Sequence, residues 1–75
     1  MKQYNTYLIL GVESVRNFQE GKLEAVSRYN LSAHTFNTKG EEEAFRRGVY
    51  AVGEEVGYKY YAVIPEEVYN TIKNL

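Results

Sequence analysis

The chain has 75 residues, 44% of them hydrophobic, with nine basic side chains set against ten acidic ones, so it specifies one small domain without a strong charge field. Cysteine is absent and His34 is the sole histidine, which excludes disulfides, thiolate metal sites and any zinc site built from several imidazoles. Every acidic residue is glutamate, which argues against a calcium loop and against most magnesium-dependent phosphoryl-transfer sites.

The chain begins with an extended segment. Residues 3–12 are rich in aromatic and branched side chains and read as a strand with both faces partly apolar, the pattern of a strand inside a sheet. Its run Tyr7 to Leu10 is too short for a signal peptide's apolar core or a membrane span, and with no cysteine this points to a cytoplasmic protein. Residues 13–29 are ambiguous. Val15, Phe18, Val26 and Tyr29 fit helical spacing, but Gly21 interrupts it, and a bent pair of strands fits nearly as well. From Tyr29 to Asn37 the alternation of Leu31, Ala33 and Thr35 with Ser32, His34 and Phe36 predicts a second strand.

The next stretch spells a whole helix. Thr38 suits the N-cap and Glu41 completes a capping box, while Glu42 and Glu43 favour the positive end of the helix dipole. Phe45, Val49, Val52 and Val56 then draw one apolar stripe, and Gly57 stands where a left-handed residue closes a helix. Gly48 and Gly53 border the stripe, as expected where a helix backbone comes close to a sheet. Tyr58 to Ile64 alternates as a third strand. Pro65, Glu66 and Glu67 open a final helix whose stripe is Val68, Ile72 and Leu75.

The order strand, uncertain segment, strand, helix, strand, helix predicts an α+β fold, a small two-layer domain of about three strands with one long helix packed on the sheet. If the second and third strands are parallel neighbours, the crossover between them is right-handed. The run Phe36-x-Thr38-x-x-Glu41-x-x-Ala44-Phe45-x-x-Gly48 resembles the strand-to-helix segment of small uncharacterised bacterial and phage-borne proteins. The resemblance spans about a sixth of the chain and implies no activity, cofactor or site residue.

Several chemistries find no support in the residues. Arg46 and Arg47 follow Glu42 and Glu43 by four positions, the arrangement of helical ion pairs on a solvated face. His34 has no nucleophile elbow nearby, and the glutamate clusters at 41–43 and 66–67 are explained by capping. The six glycines form no phosphate loop. No catalytic residue, metal site or cofactor is expected.

The distinctive resource is tyrosine, which occurs eight times. Tyr58, Tyr60 and Tyr61 cluster around Lys59, and Tyr4 and Tyr7 would join them if the first and third strands pair. Tyrosine buries a large ring while keeping a polar tip, which suits interfaces. A chain this short buries only about 60% of its unfolded surface. With disulfides and metals excluded, self-association is the remaining support, and a homodimer is expected.

The expected function is therefore a non-enzymatic accessory protein that self-associates and binds a macromolecular partner. Its contact residues would be Tyr7, His34, Tyr58, Lys59, Tyr60 and Tyr61, on a tyrosine-rich sheet face opposite the long helix. Two alternatives remain, the first of which uses the same tyrosines with His34 and Lys59. A single-stranded nucleic-acid binder would add Arg28, although the chain has no concentrated basic footprint. A ligand-sequestering protein would place a pocket between subunits.

Overall fold

A computed structural model describes residues 2–75. The chain folds as an α+β domain with three antiparallel strands in one sheet and three α-helices. Strand β1 (Tyr4–Leu10) is central, flanked by β2 (Leu31–Phe36) and β3 (Tyr61–Ile64). β2 and β3 are thus separated by β1 and are not the parallel neighbours that a direct crossover would join. Helix α1 (Val12–Gln19) follows β1, α2 (Lys39–Glu55) joins β2 to β3, and α3 (Glu66–Lys73) ends the chain.

The ambiguous segment resolves into α1 followed by two short 3₁₀ turns, Leu23–Ala25 and Arg28–Asn30. Gly21 takes a left-handed φ of 77°, which stops the helical reading just past α1. Asn30 then ties the segment to the sheet, donating to the Leu10 carbonyl at 2.7 Å and to Ser14 Oγ at 3.1 Å.

Alternation along β1 gives the two sheet faces different coverings. Tyr7 and Ile9 share one face with Leu31, Ala62 and Ile64. Val15 of α1, Val26 and Ile72 of α3 close over this face, and Ile9 at its centre is wholly buried. Thr6, Leu8 and Leu10 share the other face with His34, Ser32 and Tyr61, and there they meet α2. Helices therefore flank the sheet on both sides, three layers where two were expected. α1 and α3 carry the main core, while α2 leaves much of its own stripe outside it.

The ends of α2 follow the sequence closely. Thr38 is the N-cap: its Oγ accepts from the Glu41 amide at 3.2 Å and donates to the Glu41 carboxylate at 2.8 Å. The glutamate thus answers the hydroxyl instead of the Thr38 amide. At the far end the Tyr58 amide donates to the Gly53 carbonyl at 2.8 Å and the Gly57 amide to Glu54 at 3.4 Å, a Schellman closure with Gly57 at φ 69°. Tyr58 continues the left-handed turn at φ 55°, so it cannot begin a strand, and β3 starts three residues later than the alternation predicts.

Two other details depart from expectation. Arg46 pairs with Glu42 at 3.4 Å as foreseen, but Glu43 pairs with Lys39 at 3.9 Å and not with Arg47. Pro65 caps α3 from outside instead of entering its first turn, and Leu75 of the predicted stripe is exposed.

Candidate docking groove

The tyrosines do not assemble into one sheet surface. Tyr7 lies on the face covered by α1 and α3, half-buried, its ring centroid 4.6 Å from that of Tyr69. The free sheet face expected opposite the long helix is therefore occupied, and Tyr7 is a core residue. Tyr61 stands on the α2 face, where its hydroxyl donates to the Val49 carbonyl at 2.9 Å. Tyr58, Lys59 and Tyr60 occupy the turn between α2 and β3 and are exposed. The Tyr60 carbonyl accepts from the Gly11 amide at 2.8 Å, so its backbone is fixed while its ring is 53% exposed.

His34 is half-buried on the α2 face, with its Nε2 2.6 Å from Ser32 Oγ and its ring 4.7 Å from that of Phe45. None of the salt bridges or hydrogen bonds described brings a carboxylate to it. Arg28 and Lys59, which a strand-binding surface would use with His34, belong to opposite edges of the sheet. Arg28 precedes β2, and Lys59 precedes β3. Among the described residues no three His, Cys, Asp or Glu side chains gather as a metal site would require.

The way α2 crosses the sheet creates two openings that the sequence did not reveal. Phe45 near its start stacks on Phe36 at 5.2 Å and on His34, at the end of β2. Val49 in its second half reaches Tyr61, at the start of β3. The helix therefore runs diagonally and leaves one corner of the sheet bare on each side.

One corner, beside β3, is a polar cleft of about 510 Å³ between Tyr4, Glu42, Arg46, Tyr50 and Pro65. Thr6, only 3% exposed, donates to the Glu42 carboxylate there, and Glu42 holds Arg46 in turn. Each polar group is satisfied by its neighbour, so the network fastens α2 to the sheet.

The other corner is an apolar groove of about 520 Å³. Leu8 and Leu10 form its floor, and Ala44, Gly48 and Val52 of α2 form its wall. Leu10 is 41% exposed and Val52 54% exposed, while Phe45, Val49 and Val56 of the stripe are half-buried. No charged side chain lines the groove. Nothing in the chain lies within 4 Å of where a Gly48 side chain would begin, so the close sheet approach expected of this glycine is not made within one copy.

Tyr58 borders the far end of α2. Its phenol is held above the ordinary tyrosine range, first by loss of water around it and then by the Glu54 carboxylate. No helix among the described residues is long and apolar enough to cross a membrane. No family model matches the chain, and neither the curated proteins nor the solved structures contain a match to it.

Proposed function

We propose that this protein is a non-enzymatic docking domain of the cytoplasm that self-associates and holds an apolar segment of a protein partner between α2 and the sheet. The observation that carries the reading is the groove itself: Leu10 lies open above a buried Leu8 and beside an uncovered Val52, in a chain that can spare little apolar surface. Covering it recovers about 25 cal/mol for each Å² removed from water. A lining without cations favours an apolar peptide over a nucleic acid, whose phosphates need Lys and Arg. Absence of cysteine suits a reducing compartment. Tyr61 lines the groove and Tyr60, the residue before it, is exposed, so both are offered as contact residues of this reading.

Selection of a random peptide library on the immobilised protein tests this. Recovered peptides are expected to be rich in Leu, Phe and Trp and to lose binding to Val52→Glu, whose charge would project into the groove from an exposed helix position. Binders that ignore Val52→Glu, or no binders at all, would refute the groove as the docking surface.

A further inference from the structure

The two edges of the sheet are protected unequally. β3 has four residues and ends at Pro65, both devices that discourage another strand from pairing. β2 has six residues, Leu31-Ser-Ala-His-Thr-Phe36, with no proline, lysine, arginine or glutamate. Its backbone bonds run to β1, apart from the Leu31 amide at its start, which donates to the Arg28 carbonyl. Tyr29, two residues before this edge, is 88% exposed, the highest among the exposed large hydrophobic residues.

Charge around β2 is polar along the strand. Arg28 stands at its start with no carboxylate partner among the described ion pairs, its guanidinium 6.0 Å from the Tyr29 ring centroid. Beyond its end α2 opens with Lys39, which pairs with Glu43 at 3.9 Å, and then Glu41, which is exposed and has no basic partner among the described ion pairs. Two such strands laid side by side in parallel would set like charges together. Laid antiparallel, each Arg28 meets the other copy's Glu41, twice over, by symmetry.

We infer that β2 is the junction with a second copy of this chain, paired antiparallel about a two-fold axis into one continuous six-stranded sheet. Both α2 helices then lie on the same face of that sheet. The antiparallel pairing brings the start of the partner's α2 beside the start of this β2, where the apolar groove opens. The second copy thus supplies the wall that the groove lacks, and Tyr29 gains a neighbour. The junction stands on the edge strand and its charges; the completed groove rests on the docking reading above.

Sedimentation from about 1 μM to about 1 mM reads the association directly, a span covering weak to firm binding. Wild-type protein is expected to dimerise in that range. Ala33→Lys changes an exposed position in mid-β2 and sets two lysines near each other across the junction, so it is expected to give a monomer with unchanged circular dichroism. Arg28→Glu is expected to weaken the dimer roughly tenfold at low salt, and less as salt rises. A wild type that is monomeric throughout, or a dimer indifferent to both substitutions, overturns the junction. The two readings fail separately. A monomer that still binds selected peptides through Val52 removes the junction alone, and a β2-dependent dimer without such peptides removes the groove alone.

Discussion

The ring of Tyr58 occupies the space beside Gly53 that a side chain would need: a β-carbon at position 53 would meet the ring carbon Cε1 at 2.6 Å and Cδ1 at 2.8 Å. The contact follows from the helix closure, because the amide of Tyr58 is bonded to the carbonyl of Gly53. One residue therefore ends α2 twice, by backbone and by ring.

Gly53→Ala is accordingly expected to destabilise the fold even though alanine is the better helix former. The propensity gain of about 1 kcal/mol is outweighed by overpacking, which costs about 1–3 kcal/mol. Gly48→Ala, five residues earlier on the open groove side, meets nothing within 4 Å and is expected to gain about 0.5–1 kcal/mol. Urea denaturation of the pair decides the matter, and the signs of the two changes are expected to be opposite.

The Tyr58 phenol titrates above the ordinary tyrosine value of about 10, the value it takes in the unfolded chain. A raised folded value means that the folded state keeps its proton longer. Its contribution to stability is therefore complete below pH about 10 and is lost as pH rises through the folded value. Thermal melts of wild type are expected to decline more steeply above pH about 10 than those of Tyr58→Phe, with the two curves parallel at neutral pH. Equal slopes would show that this phenol plays no part.

How much of this was legible in the sequence depends on how local the cause is. α2 was readable to its ends because Thr38, Glu41 and Gly57 act within one turn of themselves. The start of β3 departs from the alternation for a related reason. Tyr58, Lys59 and Tyr60 alternate like a strand, but the helix closure had already claimed Tyr58 for a left-handed turn. Tyr7 lies on a covered face, which alternation does not reveal because it distinguishes two faces without saying which helices cover each. The groove is further still from sequence, since it exists only because α2 crosses the sheet obliquely. The exposed Val52 is the trace it leaves, and periodicity alone cannot tell an open stripe from a buried one.

Thr6→Val tests the polar fastening under α2. The substitution keeps the shape of a residue that is almost fully buried while removing the hydroxyl that donates to Glu42. Glu42 keeps Arg46 but loses its donor from the sheet, and a loss of about 1–3 kcal/mol is expected in denaturation. Glu42→Gln in the same background is expected to cost less than it does in wild type, because the two groups act on each other. Strict additivity would show that the contact contributes nothing.

Tyr7 and Tyr60 offer the sharpest separation of folding from docking. Tyr7 packs against Tyr69 within the layer of α1 and α3, so Tyr7→Ala is expected to cost about 3 kcal/mol through the cavity it leaves. Much of the stability of so small a domain would go with it. Tyr60 has its ring in water and its backbone held by Gly11, so Tyr60→Ala is expected to shift stability by no more than about 0.5 kcal/mol. Any loss of partner binding by Tyr60→Ala then reports the surface, whereas the same loss by Tyr7→Ala reports unfolding. Calorimetric melts of both variants, run before any binding assay, distinguish the two; a stable Tyr7→Ala would return Tyr7 to the candidates for contact.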